Sequence, residues 1–365
     1  MRMVKWDGFL SGLWVAAVLG VWVTTARADV TSEKAASVLV FPKVVANASE
    51  DTVILITNTS NQFIQAHCNY IDARLFDIVT GRPCERPSVT CQPLWQETDF
   101  DIWLTRQQPT HWSVANGRRV DLTDGFGNDG SGFDPGHIPP KPDFEGELKC
   151  VEVTASGEPV AGNHLRGNAV LFGASGDTSR YNAIGIEANP DAQPANPLVL
   201  DGEVYAACPE KLWLNHFAEG SDLLDEGGGL TAQTELTLVP CAQDLENQRP
   251  KSVTVQFLVY NELEERFSAS TTVTCYLSEL LNTLDFGGLN NSVFSAAVLG
   301  TNVAMTEITP VVQPNGESGG VIGVARRFVS RVPAGRPGTV MHSLHTTGSF
   351  IPPAGPDTIL LAPRE

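Results

Sequence analysis

The sequence predicts an all-β protein made of two antiparallel β-sandwich domains in tandem. Three observations predict it. Short β-branched and aromatic runs, bounded by Gly, Pro, Asn and Asp, recur along the chain, while helical periodicity is scarce. The runs fall into the same order twice, the mark of an internal duplication. A stretch with three prolines in eight positions, 190–197, separates the copies and reads as a Pro-rich linker or an extended crossover.

In chain order, residues 1–28 read as a secretory signal peptide. Arg2 and Lys5 give a basic start, 9–23 an apolar run, and Ala26-Arg27-Ala28 the small residues ahead of cleavage before Asp29. The run has 15 residues, short of the roughly 20 that span a bilayer. The first domain, 29–189, then has strand-like runs at 38–41, 51–57, 63–71, 100–104, 146–153 and 168–172. Val53-Ile54-Leu55-Ile56 is apolar on both faces, as a central strand would be. Phe100, Ile102 and Leu104 alternate with polar residues and share one face. In the second domain, 198–365, the matching runs are 212–214, 235–239, 253–260, 272–277, 319–328 and 339–344. Strands of this length joined by polar turns, without crossover helices, favour immunoglobulin-like sandwiches over barrels. A seventh strand is needed in each copy, and 75–79 supplies it in the first. Two connections, 72–97 and 115–145, exceed a minimal sandwich and are where a site would be built.

Several segments carry a resemblance: "DTVILITNTSN" (51–61), "QAHCNYIDA" (65–73), "DFDIWLTRQQPTHW" (99–112), "FEGELKCVEV" (144–153) and "LNHFAEG" (214–220). As a set they resemble an uncharacterised family of exported bacterial β-sandwich proteins. The resemblance implies a bacterial, exported protein and carries no catalytic residues over.

Composition excludes some functions. The chain holds 42 Asp and Glu against 24 Lys and Arg, a formal charge of −18. Such a surface repels phosphate backbones and anionic lipid, so nucleic acid is excluded as a partner. No segment after the leader is apolar enough to span a membrane as a helix. Localisation is therefore expected to be exported, periplasmic or extracellular.

The motifs that suggest chemistry fail in context. Gly316-Glu317-Ser318-Gly319-Gly320 approaches the serine-hydrolase elbow, but Pro314-Asn315 before it is turn chemistry, not a strand. The histidines form no His-Glu-x-x-His or Cys-x-x-Cys pattern. His342 and His345, three apart on a strand, are expected on opposite faces, and His67 to point outward between Ala66 and Cys68. Asp124, Asn128 and Asp129 crowd a Gly-rich loop whose hard oxygen ligands suit calcium, although EF-hand spacing is missing. No other cofactor is indicated. Trp95, Trp103 and Trp112 lie close in sequence and offer a platform for stacking on sugars. The expected function is a non-catalytic exported protein of structural or adhesion type, with a surface protein or glycan as partner. The alternative is a secreted glycan-binding protein or hydrolase that uses the 72–97 and 115–145 loops.

All seven cysteines lie beyond the leader. An oxidising compartment favours disulfides, and an odd count leaves one thiol. Cys84 and Cys91 share a Pro-containing loop and can close it. Cys68 and Cys150 point into the first core from strands three and six, which are neighbours. The same count pairs Cys241 with Cys275, although parity turns Cys241 outward, and leaves Cys208 free.

Overall fold

The computed structural model describes residues 28–84, 90–118, 136–223, 229–285, 287–314, 318–331 and 338–362. Within them the chain is all-β with several antiparallel sheets. The main strands of the first half are β1 (Val38–Ala46), β2 (Glu50–Asn58), β3 (Ile64–Asp72), β4 (Gln96–Leu104), β5 (Pro109–Ser113), β6 (Phe144–Val153), β7 (Leu165–Gly173), β8 (Thr178–Asn182) and β9 (Ile184–Ile186). Those of the second are β10 (Lys211–Phe217), β11 (Leu230–Pro240), β12 (Ser252–Asn261), β13 (Arg266–Thr274), β14 (Leu277–Leu280), β15 (Val303–Pro310), β16 (Val321–Arg331), β17 (Gly338–Ser343) and β18 (His345–Thr347).

Hydrogen-bond ladders in the first half run β8-β7-β2-β5 and β9-β1-β6-β3-β4, and the two sets join through the pair Ala46 and Asp51. The second half runs β17-β16-β11-β14 and β18-β10-β15-β12-β13. Each strand of the first half thus has its counterpart nine places later, in the same ladder position. The two ladder sets of the first half face each other: a Cβ on Gly167 of β7 would lie 2.8 Å from the Phe41 ring of β1, so only glycine permits that approach. The third strand pairs the sixth and the second pairs the fifth, as in an immunoglobulin sandwich. The first and seventh strands differ from that order. Here β1 lies beside β6, and β7 lies beside β2.

The sequence correspondence between copies needs two corrections. β15 lies between the runs 272–277 and 319–328, where the correspondence assigns no strand, so the last two runs slip by one strand. The partner of β6 is β15, not 319–328, and the partner of β7 is β16. The missing seventh strand of the first half is β5. Leu75–Asp77 pairs instead with Arg82–Pro83 and Cys91–Pro93 in a small separate sheet. The run 272–277 also breaks: β13 ends at Thr274, and Cys275 turns the corner with φ +53. In β2, Val53 and Leu55 are only half-buried beside the buried Ile54 and Ile56, so the strand, paired on both edges, buries one face rather than two.

Burial follows alternation in some strands and defies it in others. β12 alternates buried Val253, Val255, Phe257 and Val259 with more exposed neighbours. β6, with the charged sequence FEGELKCVEV, is buried at almost every position. Its core face (Phe144, Leu148, Cys150) packs within the first half, while Glu147 and Lys149 face the second. The larger hydrophobic cluster is shared, taking Val239, Cys241, Ile322, Val324 and Met341 from the second half. The segment after 190–197 also belongs to it, through Leu198, Leu200 and Tyr205. Asn196 within that segment is tied by both amide atoms to the backbone of Leu361.

Candidate functional site

A buried charged seam lies between the halves, and a groove opens beside it. At the junction, Lys43 of β1 is almost fully buried, 4% of its side chain being accessible. Its Nζ donates to Glu145 (3.2 Å), to Ser278 (2.8 Å) and, across the junction, to Glu235 (3.1 Å). Burial works against this charge, but Tyr276 and the two carboxylates outweigh it and hold the ammonium well above the ordinary lysine range. Alongside, Lys149 bonds Glu147 (3.2 Å), the Gln243 amide oxygen and the Pro240 carbonyl of the second half. Gln243 in turn donates to Glu147 (3.0 Å). Burial pushes the Glu147 carboxyl up, while Lys149 and Gln243 pull it back. Arg326 of β16 completes the seam by pairing with Glu50 of β2 at 2.5 Å.

Beside that seam a groove of about 820 Å³ opens between the halves. Arg180 and Asn182 of β8 line one wall. Asn215, Arg327, His342 and His345 line the other. An adjoining cavity of about 460 Å³, lined by Phe217, Tyr260 and Asn261, shares Asn215 and Arg327 with it. β16 explains why Arg327 is there. Its even-numbered side chains Ile322, Val324 and Arg326 turn to the first half, and its odd-numbered ones, Val321 and Ala325, to the second half's own core. Arg327 continues the odd face and crosses to β10. Its guanidinium carbon lies 4.7 Å from the Phe217 ring centre, and Nη2 donates to the Asn215 carbonyl at 3.0 Å. Burial pushes its pKa down. The His342 ring is also pushed below the usual histidine range, by burial first and then by Arg327 and His345. His342 and His345 line one groove, not opposite faces, because the strand breaks between β17 and β18 at Leu344.

The residues singled out from the sequence are placed differently. Asp124, Asn128 and Asp129, the candidate calcium ligands, lie outside the described residues. Among the described residues no group of three His, Cys, Asp or Glu has an arrangement able to hold a metal ion. His67 does leave the sandwich core, but it is covered, 4% accessible, with Nδ1 3.0 Å from Asp101. The three tryptophans form no common platform: Trp112 is buried and donates to Tyr70 (2.6 Å), while Trp103 packs on Gly136. Ser318 is enclosed, and among the described residues its hydroxyl has no hydrogen-bond partner, so no base addresses it.

Cys68 and Cys150 face each other across β3 and β6 and are bridged, with Cα atoms 4.0 Å apart; Cys84 and Cys91 are bridged at 6.3 Å. The expected Cys241–Cys275 bridge is not made. Cys241 joins Cys208, at 6.4 Å between Cα atoms, and Cys275 is the free thiol instead of Cys208. The reason is local. Past β11, Cys241 turns inward, donating its amide to Gly320, and Cys208 packs against that same glycine. A Cβ on Gly320 would fall 2.2 Å from that of Cys208. The seam and groove residues escape sequence reading because strand alternation marks Lys149 and Arg327 as ordinary solvent-facing charges.

No helix among the described residues is long and apolar enough to cross a membrane. No protein-family model matches the chain, and no curated protein is detectably similar to it.

Proposed function

We propose that this chain is a non-catalytic exported bacterial protein, a structural or adhesive element of the cell surface or extracellular space, built as two tandem sandwiches related to the immunoglobulin type. The observation that carries this reading is the burial of Lys43, Glu147 and Lys149 between the halves. A protein that opens and closes over a substrate needs a junction that parts at small cost. Parting this one would break the bonds of those charges and also expose the apolar cluster that both halves share, through Val239, Ile322 and Val324, to water. Such a seam holds the sheets of both halves at fixed spacing, which suits a rigid spacer or a surface that presents a fixed face. Three disulfides support an oxidising compartment. The basic, apolar and small-residue order of 1–28 supports export.

The test is fractionation of the organism that makes the protein, with N-terminal sequencing and antibody labelling of intact cells. The reading expects a mature chain starting at Asp29, outside the cytoplasm and accessible at the surface or in the medium. A full-length chain that retains Met1 in the cytoplasm would overturn it.

A further inference from the structure

We infer that the junction groove is a binding site for a carboxylate-bearing ligand, gripped by Arg327 and Arg180; this is independent of where the protein acts. The two neighbours Arg326 and Arg327 make the case. Arg326 is neutralised by Glu50 and lies 3.8 Å from Asp177. Arg327 is half-buried, yet among the described residues it has no carboxylate partner. Its one hydrogen bond goes to a backbone carbonyl, and its Nε is enclosed without an acceptor. A partly desolvated guanidinium with unused donors favours an oxyanion, which it binds by charge-assisted and often bidentate bonds. Stacking on Phe217 fixes the plane of the fork, so little side-chain freedom remains to be lost on binding.

The rest of the groove matches. In a chain of formal charge −18, the groove lining carries Arg180 and Arg327 against Glu33, and the adjoining cavity adds Glu262. Arg180 is exposed on the facing wall and makes no ion pair among the described residues. With the two arginines set against Glu33 and Glu262, the lining suits a single carboxylate at the Arg327 fork better than a phosphate dianion or a polyphosphate. His342 and Asn182 add polar groups along the walls, and Tyr260 and Asn261 line the adjoining cavity. The combined space exceeds a single ion and takes an organic body behind the carboxylate. That body is either a uronic-acid sugar or an amino-acid or peptide carboxylate, and the chemistry at Arg327 is common to both.

The experiment is isothermal titration of the intact oxidised protein with four probes: galacturonate, neutral galactose, tetra-alanine with a free C-terminus, and its amide. Saturable binding of either acid, at least tenfold tighter than its neutral counterpart, supports the site, and the acid that binds identifies the source. Arg327→Gln should weaken that binding at least tenfold, with Arg327→Lys in between. Arg180→Gln, at an exposed side chain, should weaken it severalfold with an unchanged melting temperature, which guards against a folding defect at Arg327. Arg249→Gln, outside the groove, should bind as wild type. Neither acid binding at millimolar concentration, equal binding of acids and neutral counterparts, binding of inorganic phosphate alone, or full affinity in both Arg327→Gln and Arg180→Gln would overturn the proposal.

Discussion

Lys43 on β1 and Glu235 on β11 lie 3.1 Å apart, each from a different half, with the lysine buried and the carboxylate 19% accessible. The contact ties the ladders of the first half to those of the second. Glu145 and Ser278 complete the shell around the ammonium, so the pair is hydrogen-bonded as well as charged. Removing one partner would strand the others, an asymmetry that buried ion pairs share.

Lys43→Met should therefore destabilise the protein by roughly 1–3 kcal/mol, less than for a fully buried pair because water partly reaches the two carboxylates left behind. Glu235→Gln should lose less, since Glu145 remains beside the lysine. Urea denaturation of the two single variants and the double variant measures the coupling. Additive losses would show that the pair contributes nothing specific.

Glu219 is buried at 1% accessibility and accepts a bond from the Thr234 amide at 2.7 Å. Burial still pushes its carboxyl up to about 7, from 4.5. Between those values the folded state keeps a proton that the unfolded chain gives up, so this group's contribution to stability falls as pH rises from 4.5 to 7. Glu219→Gln keeps the acceptor for Thr234 and removes the charge. It should be more stable than wild type at pH 8 by roughly 3 kcal/mol, and equal near pH 4. Guanidinium denaturation at both pH values checks this, and a less stable variant at pH 8 would contradict it.

His216 works with the opposite sign. Burial lowers its pKa from 6.5 to about 4, while Nε2 bonds Thr306 at 2.8 Å. The unfolded chain takes up the proton first, so stability from this group is present above 6.5 and is lost as pH falls towards 4. His216→Gln should flatten the acid limb of the melting-temperature profile over that window. A parallel profile would assign the acid limb to other groups.

Cys275 is buried, and burial, followed by Glu147, pushes its thiol up to about 11. The native protein should resist iodoacetamide at pH 8 and take up one equivalent once unfolded without reductant. Non-reducing peptide maps should return 208–241 as one linked species. Removing that bridge by double Ala substitution frees a span of 33 residues, and should cost about 3–4 kcal/mol. Recovery of Cys275 in a bridge would contradict the assignment.

What the sequence revealed, and what it hid, follows from range of interaction. The alternation of Phe100, Ile102 and Leu104 reflects a face buried by nearby strands, and it reads correctly. Cys68 and Cys150 were found through a strand count that placed Cys150 sixth, although the inserted strand was the wrong one. The charges of β6 and β16 misled for the opposite reason. Alternation tells which residues leave a sandwich's own core, and it is silent on whether another half covers them. Lys149 and Arg326 are covered; Arg180, with the same local pattern, is not. The Cys208–Cys241 bridge escaped because Cys208 arrives from outside the repeat, through a segment that packs on the first half. β15 escaped because Thr306 and Glu307 interrupt its apolar residues, and both are buried by pairing with β10 and β12.

The most direct test of a fixed junction is differential scanning calorimetry of the intact, oxidised chain at pH 7. Halves locked through Lys43, Lys149 and Arg326 should unfold in one transition whose calorimetric and van't Hoff enthalpies agree. Two separated transitions, one half melting while the other stays folded, would contradict the rigid seam on which the proposed function rests.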